Sequence, residues 1–456
     1  MSNEAAYERE LGTKSVGSLI IKYSIAAVLG QSMQICQVVT DGFFVGNGLN
    51  AAGLATIAIV IPLLTFALAL GCLVGVGATS IAAIHLGRKD VEAARKVYGQ
   101  SVWYGLFLSV TIAILGHLFA EPIVRLFGAT DDLVANCVSY ARMFFIFLPF
   151  CVMGGIFYFF IRLDEKPFIG TLALTIPVVY AEIIEYFCIF QYDLGVASSA
   201  MAFGITVGSW SLIGLYFLMS KKTIFKVKLS DLKFDFKLIA NVNKTGMASF
   251  LVQVAISFIA IMLNNLLARH GTGMDTAAFG ILNAYLMYIF TLFVTLGWTL
   301  GMQPVVSFNL GAGKFARVRQ ALTKTIVYNT IFMAVVTVLV FIFSDFIIGF
   351  FAGDDLALIA ASKSHIYVFL SLFAFGSASF IVSGYYQAIE LNGRAVFHAL
   401  TRNVIFIVPV SLIMLKLFGV AGVWASMPVC EVLAFIVAML FVFHEVRRLK
   451  SMEQAL

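Results

Sequence analysis

The feature that most constrains this chain is a succession of apolar segments, each long enough to cross a lipid bilayer. A transmembrane helix needs about 20 apolar residues, and 61% of the 456 residues are hydrophobic while only 12% are charged. Soluble domains carry about 25% charged residues, so we predict an all-α integral membrane protein. Twelve transmembrane helices are predicted in two six-helix bundles, at roughly 17–45, 53–86, 97–120, 137–161, 167–190, 196–219, 245–268, 277–310, 322–343, 363–389, 395–415 and 420–443.

One long polar, Lys-rich stretch, Ser220–Lys244, separates the first six predicted spans from the last six. It predicts an N-terminal lobe at 1–220, a linker at 221–244 and a C-terminal lobe at 245–456. Most of the 30 Lys and Arg residues lie on one side of the predicted spans when the N-terminus is placed in the cytoplasm, with Arg402 counted on that side. Cytoplasmic loops are enriched in basic residues, so we expect a multi-pass plasma-membrane protein with both termini and the linker in the cytoplasm.

The two halves resemble copies of each other at an offset of 224 residues. HLGRKDVEAARK from His85 aligns with NLGAGKFARVRQ from Asn309, and Gly195-Val196-Ala197 aligns with Gly419-Val420-Ala421. Since each copy contains an even number of spans, both copies begin on the same side of the membrane. The pseudo-two-fold axis is then expected along the membrane normal, with a central cavity between two bundles.

The first predicted span carries an acid and two amides on one side, within the stretch Gln31–Gly46. On a helix, Gln34, Gln37 and Asp41 fall within an arc of about 60°. An acid in hydrocarbon costs about 3 kcal/mol even on the most lenient scale, and such residues usually face a cavity or the bundle interior. One interpretation is a structural Asp bonded to a neighbouring helix; the other is a site for a coupling cation. The repeat offset places the uncharged Asn265 opposite Asp41, which suggests ion coupling in the N-terminal half.

Four further charged residues lie within apolar segments. Glu182 and Glu185 share one side of the fifth span, shortly after Pro177. Two neighbouring carboxylates repel each other when both are ionised, so we expect at least one of them to bind a proton. The alternative is that one points to the interface and the other bonds a neighbour. Arg142 and Glu431 are candidates for structural ion pairs.

The seventh span carries an uncharged polar stripe that either lines the cavity or packs against a neighbouring helix. The predicted cavity residues, which include two from the first span, are Gln34, Gln37, Gln253, Ser257 and Asn264. Aromatic faces beside an acid suit flat lipophilic cations, and the chain has 44 Phe and 16 Met. The substrates are therefore expected to be amphipathic or cationic small molecules.

Several other classes of protein are excluded by the motifs. The cysteines and histidines show no metal spacing, and we predict no metal site and no disulfide. GAGK at Gly311–Lys314 is followed by Phe315, whereas a phosphate-binding loop needs GxxxxGK[ST]. No basic stripe for nucleic acid is present, and no paired Asp motif, Ser/His dyad or HExxH indicates an intramembrane enzyme. We expect no cofactor beyond a coupling ion, H⁺ or Na⁺.

Taken together, these motifs resemble the multidrug and toxic compound extrusion (MATE) family. The matching stretches are TDGFFVG at Thr40–Gly46, GVGATSIAAIHLGRKDVEAARK from Gly75, QPVVSFNLGAGKFARVRQAL from Gln303 and FGVAGVWAS from Phe418. The resemblance implies a V of two six-helix lobes around a central cavity, and export by alternating access coupled to Na⁺ or H⁺. It also implies that Asp41 is the first-span acid used for ion coupling.

The fifth span departs from the family pattern. Where such proteins often carry an Asn, an acid four residues later and then a Pro, this chain has Ala181, Glu185 and Tyr186, with Glu182 added. The missing Asn favours H⁺ slightly over Na⁺. We therefore predict a monomeric antiporter that exports small molecules, with Asp41, Glu185 and Glu182 at the ion site. The alternative is a flippase for lipid-linked precursors with a related two-lobe architecture, which would need a cationic cavity.

Overall fold

The computed structural model describes residues 10–48, 50–192, 194–220, 223–226, 233–282, 294–352 and 356–455. The first half contains α1 (Glu10–Thr13), α2 (Val16–Gly48), α3 (Asn50–Gly87), α4 (Val91–Leu118), α5 (Ala120–Leu126), α6 (Val134–Leu163), α7 (Pro167–Phe190) and α8 (Ala197–Met219). The second half contains α9 (Phe236–His270), α10 (Gly273–Ile281), α11 (Leu296–Gly311), α12 (Phe315–Ile342), α13 (Ser344–Ala352), α14 (Leu356–Leu370), α15 (Phe373–Ala388), α16 (Asn392–Leu400), a π-helical turn (Thr401–Phe406), α17 (Ile407–Phe418) and α18 (Val420–Gln454).

The apolar segments form helices of membrane-spanning length, as predicted. Ten described helices, with α16, the π-turn and α17 running as one, are each long and apolar enough to cross a bilayer. The pair α14 and α15, bent by 53° at a short break, makes an eleventh where the span 363–389 is predicted. The remaining predicted span, 277–310, has its middle at 283–293, outside the described residues. The all-α membrane fold is therefore confirmed.

The internal repeat is visible in the backbone as well as in the sequence. Left-handed residues recur in three pairs separated by 224 or 225 positions: Lys89 and Gly313, Glu165 and Glu390, and Gly195 and Gly419. Each ends a helix or opens the next, at φ between 59° and 66° in five of them and 70° at Gly313. Because a left-handed residue is costly for most side chains, its recurrence at one offset indicates that the two halves use the same turns.

The chain packs as two compact units that do not follow the order of the sequence. Leu29–Gln253 belongs to the first unit, and Leu11–Val28 together with Val254–Leu456 belongs to the second. The amino-terminal part of α2 thus packs within the second unit, and that of α9 within the first. The lobes at 1–220 and 245–456 follow the covalent repeat, and they stay a prediction.

Glycines at equivalent positions of α3 and α11 make this packing close. In the first unit, a Cβ at Gly77 would collide with the backbone of Val242 and Gly246 in α9. In the second unit, a Cβ at Gly301 would collide with Ser24 in α2. Small residues let helix backbones approach in a membrane. The 224-residue offset that pairs Gly77 with Gly301 therefore marks two corresponding helix crossings.

The last part of the linker is fastened to the first unit. The Gln100 amide donates to Lys233 O (2.8 Å) and accepts from Asp235 N (2.9 Å), while Arg95 donates to Ile224 O (2.7 Å). Lys96 Nζ lies 2.8 Å from the Asp235 carboxylate, and this hydrogen bond lowers the pKa of Asp235. These contacts hold the segment before α9 against α4, so α9 begins at a fixed place.

Candidate coupling-ion site

The acid predicted at the centre of α2 lies against α8. Ser199 Oγ donates a short hydrogen bond to Asp41 Oδ1. Ser199 is 2% exposed and lies in the first turn of α8, which starts just after the left-handed Gly195. The turn at Gly195 sets the direction of α8, and the hydroxyl in its first turn reaches Asp41. The structure places Asp41 half-buried rather than fully enclosed.

A second carboxylate lies beside the first. Glu185 in α7 is 1% exposed, and its side chain is within hydrogen-bonding range of both Asp41 and Ser199. Its Oε1 has no hydrogen-bond partner among the described residues. Tyr140 in α6, also 1% exposed, is in hydrogen-bonding range of Ser199 and close enough to both acids to sense their charges. Four helices therefore contribute one polar side chain each to a single buried cluster.

Two carboxylates in direct contact cannot both remain ionised without a compensating positive charge, since like charges in a site of low dielectric repel strongly. The pair can share a proton, as in carboxylate dyads, or hold a cation between its oxygens. The neighbouring hydroxyls of Ser199 and Tyr140 supply a donor or an acceptor in either state. The cluster is thus chemically suited to exchange a small cation with water.

Glu182 lies on α7 one turn before Glu185. It is half-buried, and neither carboxylate oxygen has a hydrogen-bond partner among the described residues. It senses the charge of Asp41 without joining the Asp41–Ser199–Glu185 contact. A third acid beside the pair makes this part of the first unit strongly attractive to cations.

The amides predicted on the same side of α2 follow the acid onto α8. Gln37 Nε2 donates to Thr206 Oγ1 at 3.0 Å, seven residues further along α8 than Ser199. Gln34 is half-buried. The polar side of α2 therefore packs along α8, and the structure brings the Gln37 and Asp41 side chains to one helix, as their spacing predicts.

The polar stripe of α9 does not form such a cluster. Gln253 is 6% exposed, with an Oε1 that lacks a partner among the described residues, whereas Asn264 is exposed. The Ser257 side chain lies outside what the structure describes. Gln253 also belongs to the first unit and Asn264 to the second. Their role as cavity residues stays a prediction.

Sequence reasoning missed the hydroxyls of Tyr140, Ser199 and Thr206. The motif GVASS at the start of α8 carries the only available signal: polar residues that directly follow a helix-starting glycine in an apolar segment. A Tyr or Thr in an apolar helix gives no comparable signal, since most such residues pack or bond to their own helix.

The other deep charges have different surroundings. Glu431 accepts from Arg402 Nε at 2.7 Å, so the interpretation of Glu431 as a member of an ion pair agrees with the structure. Arg402 is 4% exposed and does not lie in a polar loop, as its place in the charge count implied. Arg142 is exposed. No group of three His, Cys, Asp or Glu residues within the described ranges is arranged to hold a metal ion.

The chain resembles known transporters along most of its length. The MatE family profile matches residues 26–187 and 246–413. Multidrug export protein MepA of Staphylococcus saprophyticus is 25% identical over 443 residues, which cover 97% of this chain and 96% of that protein. MepA of Staphylococcus aureus strain MRSA252 is 24% identical over the same length, with the same coverage.

Solved structures show the same fold. The outward-facing conformation of a multidrug resistance MATE family transporter of the MOP superfamily superimposes with a TM-score of 0.89 at 22% identity, covering 97% of this chain and 98% of that one. A MATE crystal structure in the bent conformation gives a TM-score of 0.86 at 22% identity, with 99% of both chains covered. The chain therefore belongs to the MATE family, whose members are multidrug export transporters and not enzymes.

Proposed function

We propose that this protein is a secondary antiporter that exports amphipathic or cationic small molecules in exchange for a cation bound at Asp41 and Glu185. The observation that carries the proposal is the contact of Asp41 with Ser199 and Glu185 inside the first unit. A buried carboxylate pair without a compensating Lys or Arg in contact needs a cation for charge balance. That requirement is what an ion-coupled carrier exploits.

The donors at the site favour H⁺ as the coupling ion over Na⁺. A proton needs one carboxylate and a neighbour that can share it, and the Asp41–Glu185 pair provides both. A Na⁺ site needs several fixed oxygens, and the fifth span has Ala181 where an additional amide ligand is often found in this family. Asp41 then binds the proton, Glu185 shares it, and Glu182 raises the local concentration of cations.

The gradient supplies enough free energy for export. One unit of pH is worth about 1.4 kcal/mol, and one charge that crosses 100 mV is worth about 2.3 kcal/mol. Together these support roughly a 500-fold concentration ratio for an uncharged substrate exchanged for one proton. No cofactor is required beyond the coupling ion. The working form is a monomer in the plasma membrane with both termini in the cytoplasm, and Gln34, Gln37, Gln253, Ser257 and Asn264 line its substrate path.

The proposal is tested by export into inverted vesicles, with a pH gradient and a Na⁺ gradient imposed separately. Uptake of a fluorescent lipophilic cation should follow the pH gradient and should stop in Asp41→Asn, which keeps the shape of the side chain but cannot bind a coupling proton. Glu453→Gln, an exposed acid of α18, is the matched control and should transport normally. Uptake that persists in Asp41→Asn, or that needs Na⁺ and ignores pH, would contradict the respective part of the proposal.

The flippase is the second candidate function, and the same site disfavours it. A lipid phosphate needs basic side chains in its path, whereas the charged cluster of the first unit consists of Asp41, Glu182 and Glu185. Translocation of a fluorescent lipid-linked phosphate in the same vesicles, without export of the cation, would replace the antiporter proposal.

A further inference from the structure

The fifth helix of each half is interrupted at a corresponding place. In the first half, Pro177 lies inside α7. The repeat offset of 224 residues places Pro177 opposite Thr401, where the π-helical turn Thr401–Phe406 begins. A proline removes one helical hydrogen bond, and a π-turn inserts one extra residue, so each weakens the helix at one point. The two halves thus place different irregularities at the same position.

The π-turn carries a buried ion pair. Arg402 Nε donates to Glu431 Oε1 at 2.7 Å, and Arg402 Nη1 donates to Asn403 Oδ1 at 2.9 Å. Arg402 and Glu431 are 4% and 1% exposed. Arg402 lies close to the middle of the span Asn392–Phe418, and Glu431 close to the middle of the predicted span 420–443. The pair therefore joins the irregular turn to α18 at mid-membrane depth.

One side of α15 is shaped around this pair. Phe373 and Phe380 place their rings 5.0 and 5.2 Å from the Arg402 guanidinium carbon. Gly376 lies between them on the same side of the helix, and a Cβ there would collide with the Glu431 carboxylate. The aromatic rings favour a cation, and the glycine leaves room for the acid. Three helices thus contribute to holding one Arg–Glu contact in place.

Stability alone does not account for such a pair. Removing two charges from water costs about as much as their attraction returns, and apolar replacements of similar volume are often equally stable or more stable. A buried pair at a helix irregularity has a different use: it fixes the direction of the helix on either side of the turn while leaving the turn free of a continuous hydrogen-bond ladder.

We propose that Arg402 and Glu431 are positioning residues that hold the π-turn as the bending point of the eleventh span, and that transport requires this bend. The inference rests on the proposed function. It assigns to the second unit a neutral charge pair that controls helix geometry, distinct from the acidic cluster of the first unit that binds the coupling ion.

The test separates stability from turnover. In Arg402→Met/Glu431→Met the pair is replaced by apolar side chains, and we expect a melting temperature at or above that of the wild type. We expect kcat for vesicle export to fall on the order of tenfold with KM unchanged, since the substrate contacts remain. Arg402→Lys, which keeps the charge but loses the planar fork, should recover part of the turnover. The control Lys363→Met/Asp345→Met removes an exposed pair of the same unit (2.7 Å) and should leave kcat unchanged.

A second measurement does not depend on those variants folding. Spin labels at the exposed positions Phe397 and Ile413 flank the π-turn about 24 Å apart along the helix. The distance between them should change when the pH is shifted or a transported cation is added to the otherwise wild-type protein. A single unchanged distance, or wild-type kcat in the Met/Met variant, would overturn the inference. Absence of gradient-driven export in the wild type would instead overturn the proposed function.

Discussion

The close crossing of α3 and α9 makes Gly246 the position where the smallest substitution should have the clearest effect. A Cβ built at Gly246 lies 2.6 Å from Leu73 C and 2.9 Å from Leu73 Cα, and closer still to the Leu73 carbonyl oxygen. Ordinary contact begins at 3.4 Å. Because all three neighbours are backbone atoms, no rotamer change can relieve the clash, and the helices must separate by at least about 0.5–0.8 Å.

The free energy follows from two opposing terms. Overpacking a well-packed helix contact costs about 1–3 kcal/mol, and moving two helices apart also loosens neighbouring contacts such as that of Gly77 with Val242. Replacing Gly by Ala in a helix interior returns up to about 1 kcal/mol through backbone entropy. Gly246→Ala should therefore destabilise the protein by about 1–2 kcal/mol.

The matched control is Gly208→Ala in α8. Gly208 also lies inside a helix, but a Cβ there would have no neighbour within 4 Å. It should gain the helix-propensity term alone and be neutral or slightly stabilised. Melting of detergent-purified protein, followed by size-exclusion profiles of heated samples, should show a lower midpoint for Gly246→Ala and an unchanged or higher one for Gly208→Ala. Equal midpoints would show that the crossing is looser than the structure indicates.

Three further predictions concern the linker, α2 and α7. The Lys96 hydrogen bond lowers the pKa of Asp235 from its ordinary value of 3.8, so its contribution to linker docking is present above that value and is lost as the pH falls below it; proteolysis of the linker should rise between about pH 5 and 3 in the wild type but not in Asp235→Asn. Cys36 points about 130° away from the Gln34–Asp41 side of α2, so a charged thiol reagent should modify Gln34→Cys faster than Cys36; the opposite order would mean that Asp41 faces lipid. Pro177→Ala restores a helical hydrogen bond in α7 and should raise the melting midpoint while lowering kcat; unchanged kcat would show that the bend in α7 is not used.

The fold was predictable from the sequence because the signals are long and repeated. A stretch of about 20 apolar residues has few alternatives to a membrane helix, and the 224-residue offset ties segments of the two halves together. The sequence could not indicate which unit each part of a long helix joins. Leu11–Val28 packs in the second unit although its sequence continues into α2 of the first, and only contacts between distant segments decide this.

The acidic site was predictable in part. Asp41 and Glu185 stand out because an acid is costly in an apolar helix. Their contact, and the Ser199 hydroxyl between them, depend on the packing of three helices. Periodicity shows which side of one helix a residue occupies but not which neighbour it meets, so Tyr140 and Ser199 remained hidden among ordinary apolar and small residues.

Arg402 shows how a strong sequence rule can hide a functional candidate. Counted with the basic residues near the cytoplasmic side, it supports the positive-inside pattern, and nothing in TRNVIF indicates burial. Its environment becomes apparent only when Phe373, Gly376 and Phe380 of α15 are seen to face it. The spacing of these three residues is helical, and a glycine between two aromatic residues is a recess that needs an occupant.

The two halves thus share a scaffold but differ in their charges. Corresponding turns, glycine crossings and helix interruptions recur at one offset, while the first unit carries Asp41 with Glu185 and the second carries Arg402 with Glu431. An acidic pair changes its charge when it takes up a cation, whereas an Arg–Glu pair remains neutral overall. If one lobe responds to the gradient and the other sets the geometry of the response, exchanging only the charge type of each site should abolish coupling in the first and bending in the second. That outcome depends on the charges, because the surrounding helices have the same plan in both halves.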